Sequence, residues 1–103
     1  MKTGNILKLV RINKGLAQKE MADLLGVSQN YLSLIETNKK VPSVDTMAEF
    51  AKSLKISKDA LLFASSDVPE ELSAKDTKDF QRLQQNILSL LLFELNGELE
   101  KSA

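Results

Sequence analysis

The segment Gln18–Glu36, QKEMADLLGVSQNYLSLIE, decides the fold of this chain. Its apolar residues recur at intervals of three and four, which predicts two short helices that each bury one face. The inward positions are Met21, Ala22, Leu24 and Leu25 in the first helix and Leu32 and Ile35 in the second. The segment therefore predicts two small amphipathic helices packed on a common core.

A glycine turn separates the two helices. Gly26 directly follows the first apolar stripe, and glycine takes up the left-handed conformation that ends a helix at little steric cost. Ser28 then stands at the start of the next helix, where its hydroxyl can accept a hydrogen bond from a free backbone N–H. This arrangement is a helix-turn-helix, whose second helix enters the major groove of DNA.

The second helix points its remaining side chains outward. Glutamine and asparagine amides pair bidentately with adenine N6 and N7, and a leucine methyl can contact the thymine methyl group. The predicted base contacts are Gln29 and Asn30, followed by Ser33 and Leu34.

From about Ile6 to Phe63 the chain resembles the phage-repressor and Cro-like helix-turn-helix family of bacterial transcriptional regulators, also called the xenobiotic-response-element type. The resemblance rests on ILKLVRINKG, the helix-turn-helix segment, VPSVDTMAEFAKSL and ISKDALL, all in register. It implies an all-α fold, with a five-helix repressor-like DNA-binding domain. Ala17 departs from the family pattern, which has Ser or Thr there, and the lost helix cap should cost about 1 kcal/mol.

The resemblance also implies contacts with the DNA backbone. Gln18 can grip a phosphate together with the free N–H groups of its helix, although it can also be a merely exposed glutamine. Tyr31 can touch a phosphate or pack across its helix, and the two lysines after the second helix can be simply solvated. The predicted backbone contacts are Gln18, Lys19, Ser28, Tyr31, Asn38, Lys39 and Lys40. Arg11 is expected to form a structural ion pair with Glu36, with a phosphate contact as the alternative.

Composition limits the other function classes. The chain has 103 residues, 43% of them apolar, and no His or Cys, which suits one small domain with an appendage. Thiol and imidazole catalysis and the usual zinc sites are excluded, and no phosphate loop or catalytic carboxylate pair is evident. We expect no enzymatic activity and no cofactor. Without a signal peptide or a membrane-spanning run, a cytoplasmic protein is expected.

The charge is divided along the chain. Residues 1–64 hold ten Lys and Arg against six Asp and Glu, whereas residues 65–103 hold four against eight. The net charge of zero therefore combines a half with charge +4 and a half with charge −4. This division indicates a DNA-facing module joined to an acidic one that does not contact DNA, unless the charges are distributed by chance over solvated helix faces.

Helices are predicted at about 4–14, 18–25, 28–36, 44–54 and 58–63, within a DNA-binding domain of residues 1–64. The small, acidic and proline residues of 65–73 predict a linker. The sequence of residues 74–103 then predicts one further C-terminal helix. This helix is apolar on several sides, so we expect a partner to cover part of its surface. The expected dimerisation residues are Phe80, Leu83, Ile87, Leu88, Leu91, Leu92 and Leu95.

Three partners are possible for the apolar surface of this C-terminal helix: a second copy of the chain, its own domain, or another protein. A homodimer would suit a repressor that binds a near-palindromic operator in double-stranded DNA. The alternative function is a protein-interaction module, such as an antitoxin, that binds its partner through residues 74–103. The two functions overlap, because an antitoxin can also bind DNA.

Overall fold

The computed structural model is helical and describes the backbone of residues 1–102 and the side chains of residues 1–93. Its helices are α1 (Thr3–Asn13), α2 (Gln18–Leu25), α3 (Gln29–Glu36), α4 (Val44–Leu54), α5 (Lys58–Ser65) and α6 (Ala74–Ser102). The predicted all-α fold is confirmed, with five short helices and one long C-terminal helix. No described residue lies in a β-strand.

Glycine and serine residues mark several helix ends, including the predicted Gly26 and Ser28. Gly26 ends α2 in the left-handed region, with φ of 72°. Serine hydroxyls accept backbone N–H bonds at the starts of four helices, at Ser28, Ser43, Ser57 and Ser73. At α2, which has Ala17 in place of a capping hydroxyl, the Ala17 N–H instead donates to Glu20 Oε1 at 2.8 Å. This bond gives the Ala17 N–H a partner just before the helix. The N–H groups of the first turn of α2 still have no side-chain cap.

One continuous core joins α6 to the other helices. Ile6, Leu7, Val10, Met21, Leu32, Ile35, Phe50, Leu54 and Leu61 are all fully or almost fully buried, and Leu88 and Leu91 of α6 belong to the same cluster. Leu24 is an exception to the predicted stripe of α2, because its side chain is 44% exposed. The other three apolar residues of this stripe, Met21, Ala22 and Leu25, are buried, and Leu24 lies toward the edge of the inward face.

The inward face of α6 includes one polar residue and two of the expected dimerisation residues. Phe80 packs on Phe63, with 5.2 Å between the ring centroids, but the buried positions further along are Gln84, Leu88 and Leu91. Leu88 and Leu91 were expected at a dimer interface, and the structure places them in the core of their own chain. For this face, the alternative in which the helix folds back on its own domain is correct.

A close approach holds α1 against the end of α3. A Cβ atom on Gly4 would overlap the carbonyl oxygen of Ile35 and lie 2.6 Å from Asn38 Oδ1. Only glycine allows this separation, because any larger residue would push the two helices apart. The start of α1 and the end of α3 are thereby fixed relative to each other.

Within the described part of the chain, none of the helices is both long enough and apolar enough to cross a membrane.

Candidate DNA interface

The outer face of α3 presents the predicted base-contacting residues. Leu32 and Ile35 anchor the helix in the core, so the opposite side of the helix faces solvent. Gln29 and Asn30 are exposed in the first turn, and Ser33 and Leu34 are half-buried further along. Polar amides at the exposed N-terminal end of such a helix are suitably placed to meet base edges in the major groove.

A buried ion pair ties α1 to the end of α3. Arg11 Nε lies 2.9 Å from Glu36 Oε2, and Arg11 Nη2 donates to Glu36 Oε1 at 3.0 Å. The third donor, Nη1, binds the carbonyl oxygen of Leu16 at 3.0 Å. The Glu36 side chain is only 4% exposed, so its carboxylate depends on these donors for compensation. Arg11 therefore has the structural role expected from the sequence.

Hydrogen bonds continue from this pair to the first turn of α3. Glu36 Oε1 also accepts a long bond from Gln18 Nε2 at 3.4 Å, and Gln18 Oε1 accepts one from Gln29 Nε2 at 3.5 Å. Gln18 thus bridges the first residue of α2 and the first residue of α3. The contact to Gln29 is long and exposed, and it leaves the Gln29 oxygen and one amide N–H available.

The contact between Gln18 and Gln29 was not predicted from the sequence. A signal for it was present, since each glutamine is the first residue of its helix and the two helices share one turn. Their side chains are therefore brought to the same side of the motif by the turn at Gly26.

The loop after α3 is held by bonds to its neighbours. The N–H groups of Lys39 and Lys40 both donate to the carbonyl oxygen of Leu34, at 2.9 and 3.1 Å. Asn38 adopts a left-handed φ of 61°, and its Nδ2 donates to Asn5 Oδ1 at 3.0 Å. A short polar side chain tolerates this conformation best, which explains an asparagine at this point.

Tyr31 and Lys40 form a contact that the sequence did not predict. The Lys40 ammonium lies 5.6 Å from the centroid of the Tyr31 ring, within the range of a cation–π interaction. Tyr31 is half-buried, whereas Lys19, Lys39 and Lys40 are exposed. The ring therefore places one of these positive charges beside α3.

Ser28 carries out the capping expected of it. Its Oγ accepts the Tyr31 N–H at 3.0 Å, which leaves the hydroxyl proton free to donate to another acceptor.

The predicted dimerisation residues differ in their exposure to solvent. Leu83 is exposed, Phe80, Ile87 and Leu92 are half-buried, and Leu88 and Leu91 are buried. Two residues outside the prediction, Leu90 and Phe93, are 56% and 67% exposed. Leu95 lies outside the residues whose side chains are described.

Among the described side chains, no group of His, Cys, Asp and Glu is arranged to hold a metal ion.

Known proteins resemble the chain over the same region. The helix-turn-helix family matches residues 7–61. The ImmF control region 10 kDa protein of Bacillus phage phi105 is 37% identical over 70 residues, covering 68% of this chain and 78% of its own length. An HTH-type transcriptional regulator of Sinorhizobium fredii, y4dJ, is 35% identical over 66 residues, covering 64% and 86%.

A further relative extends along nearly the whole chain. The immunity repressor protein of Bacillus phage phi105 is 28% identical over 105 residues, covering 99% of this chain and 67% of the repressor. No solved structure matches the chain significantly. The matched residues include the turn at Gly26, the buried ion pair and the outer face of α3. The chain belongs to the helix-turn-helix family of DNA-binding transcriptional regulators, which are not enzymes and which include phage repressors.

Proposed function

We propose that this protein is a sequence-specific repressor that binds a near-palindromic operator as a homodimer. The observation that carries the proposal is the outer face of α3, where the amides of Gln29 and Asn30 are both exposed in the first turn. Such amides can pair bidentately with adenine in the major groove. The similarity to a phage immunity repressor supports repression as the sense of regulation.

The contacts divide into two kinds. Gln29 and Asn30 recognise bases, with Ser33 and Leu34 beside them, and so determine which sequence is bound. Lys19, Lys39 and Lys40, with Gln18, Ser28, Tyr31 and Asn38, contact the phosphate backbone and determine register and overall affinity. The Tyr31 ring positions the Lys40 ammonium for such a contact.

The homodimer forms through the outer face of α6. Leu83 and Leu90 are seven residues apart, so they lie on the same side of the helix with half-buried Ile87 between them. Both leucines and the neighbouring Phe93 are at least half exposed, and together they give α6 an apolar outer face. Two copies related by a two-fold axis would cover this face and place two α3 helices on two half-sites.

The test is selection of bound sequences from a random duplex pool by the full-length protein, at near-physiological salt. The expected product is an inverted repeat with half-site centres about 10–11 base pairs apart. Selection of a single half-site would contradict the dimer, and no enrichment would contradict sequence-specific binding.

A second measurement tests the dimer by itself. Light scattering of the full chain should give twice the monomer mass, and the double substitution Leu83→Glu with Leu90→Glu should give the monomer. The matched control is Ser89→Glu, which adds a carboxylate at an exposed position of the same helix. A wild-type protein that is monomeric and becomes dimeric only with a different protein would favour the partner-binding alternative.

A further inference from the structure

The loop after α3 can offer DNA its side chains but not its backbone. The N–H groups of residues 37–40 all donate to carbonyl oxygens near the end of α3, at distances of 2.9 to 3.1 Å. A backbone N–H that is already bonded within the chain is not available to a phosphate oxygen. The exposed side chains of Lys39 and Lys40 are then what the loop presents, and their direction depends on the course of the loop backbone.

The loop backbone turns at Asn38, and this residue is bound to α1. Its φ of 61° lies in the left-handed region. The side chain lies along the start of α1, with Oδ1 only 2.6 Å from the position that a Cβ atom on Gly4 would occupy. The Asn38 Nδ2 donates to Asn5 Oδ1 at 3.0 Å. The turn of the loop is therefore joined to a helix 33 residues earlier in the chain.

Asn5 is attached to a fixed support and has one described contact. Its neighbours Ile6 and Leu7 are fully buried, so they anchor this part of α1 in the core. The Asn5 side chain is exposed and, among the residues that the structure describes, hydrogen-bonds to Asn38 alone. Alanine is a better helix former than asparagine. The bond can therefore be removed by Asn5→Ala while α1 and the core are kept.

We propose that Asn5 is a positioning residue for DNA binding, which acts through Asn38 on the loop that carries Lys39 and Lys40. This role rests on the proposed function, in which both lysines contact the DNA backbone. A side chain on a fixed loop loses less conformational freedom on binding than the same side chain on a mobile loop. Loss of the Asn5 bond should therefore weaken DNA binding although no charge is removed.

The first experiment measures the loop in the free protein. Backbone amide hydrogen exchange of the isotope-labelled full chain is followed by NMR for the wild type and for substitutions at Asn5. In Asn5→Ala the N–H groups of Lys39 and Lys40 should exchange about three- to tenfold faster, because one hydrogen bond of the loop is lost. Asn5→Asp keeps an acceptor oxygen at the same place and should keep both exchange rates within about twofold of the wild type.

The matched control for this substitution is Ile12→Ala. Ile12 is 57% exposed and lies seven residues after Asn5, on the same side of α1. Its truncation leaves the bond between Asn5 and Asn38 intact, so exchange in the loop should change by less than about twofold.

The second experiment measures binding to a random-sequence duplex by fluorescence anisotropy at low salt. Asn5→Ala should weaken binding about two- to fivefold, and Ile12→Ala should leave it unchanged. Lys40→Ala should then weaken the Asn5→Ala variant by a smaller factor than it weakens the wild type, because the loop no longer directs the ammonium. Urea unfolding of each variant separates this coupling from a loss of stability.

Several outcomes would overturn the positioning role. These are unchanged amide exchange in Asn5→Ala, unchanged DNA affinity in Asn5→Ala, or effects of Asn5→Ala and Lys40→Ala that simply multiply. A loss of affinity in Lys40→Ala without one in Asn5→Ala would refute this role and leave the proposed function standing. A Lys40→Ala variant that binds as well as the wild type would refute the backbone contact of the proposed function, and this role with it.

Discussion

Helices α3 and α6 both bury one face against the same core, yet their outer faces differ. The outer face of α3 is polar, and its first residue is linked through long contacts with Gln18 to the pair of Arg11 and Glu36. The outer face of α6 carries exposed Leu83, Leu90 and Phe93. Amide side chains suit the edges of bases, whereas apolar side chains suit another apolar surface. The chemistry of each exposed face thus indicates the partner of each helix.

The two helices also differ in how they are anchored. Besides its apolar residues, α3 depends on a charged pair that is almost fully buried, and α6 depends on a neutral amide, Gln84, that binds the last carbonyl groups near α5. Loss of the partner of a buried charge lowers the free energy of unfolding strongly. Loss of a neutral amide leaves its carbonyl partners unpaired, which lowers it less. The two anchors should therefore respond differently to substitution.

The largest expected effect is on the anchor of α3. Arg11→Ala leaves the Glu36 carboxylate buried with Gln18 as its remaining side-chain donor, so the free energy of unfolding should fall by about 3 kcal/mol. The control is Arg82→Ala on α6, whose pair with Asp79 is exposed and 3.8 Å long, and which should cost less than about 0.5 kcal/mol. Urea denaturation of both variants measures the difference, and equal losses would contradict it.

The next effect separates the two faces of α6. Leu91→Ala creates a cavity in the core, where the leucine is 1% exposed, and should lower the free energy of unfolding by about 2–4 kcal/mol. Leu90→Ala, one residue earlier on the exposed face, should lower monomer stability by less than about 0.5 kcal/mol. Thermal or urea unfolding should be measured at concentrations where the protein is monomeric. A similar cost for both would mean that α6 has no distinct inner face.

The next effect is on DNA binding by α3. We expect a smaller change in free energy than in the two stability predictions, and one that depends on the DNA sequence. Asn30→Ala should lose about 1–3 kcal/mol of binding free energy on the selected operator and little on random duplex. Fluorescence anisotropy with both duplexes measures the two affinities. Gln85→Ala, at an exposed position of α6 away from Leu83 and Leu90, serves as the control and should change neither. Equal losses on operator and random DNA would count against a base contact by Asn30.

The smallest effect concerns one backbone contact. Lys40→Ala should weaken binding to every duplex by a similar factor and reduce the slope of log affinity against log salt by about one. Operator and random duplex titrated over a range of salt concentrations give this slope. A loss confined to the operator would show that Lys40 acts through base recognition instead.

Local rules were sufficient to predict the first five helices. Apolar spacing located them, and their ends were predicted within two residues. Gly26 and Ser28 marked the turn between α2 and α3, because such signals are local to the sequence. The ion pair between Arg11 and Glu36 was expected from family resemblance, since its partners are 25 residues apart and no local pattern links them. The contact between Gln18 and Gln29 needed the geometry of the turn.

The inner face of α6 could not be predicted from apolar spacing. The pattern favoured one stripe, through Phe80, Leu83, Ile87, Leu90 and Leu91. Of these residues only Leu91 is buried, and it lies on a line with Gln84 and Leu88. A polar residue occupies the first buried position because the end of α5 offers it two carbonyl oxygens. These hydrogen bonds depend on the position of α5, which the spacing of residues within α6 does not reveal.

The contact at Gly4 has a consequence for how the protein meets DNA. Since α1 lies against the carbonyl of Ile35 with no room for a side chain, the start of α1 and the end of α3 are in direct backbone contact. We expect α3 to keep this position when DNA binds, so that little entropy is lost in ordering it. We therefore expect the heat capacity change on binding to reflect the surface buried, without a folding contribution from α3.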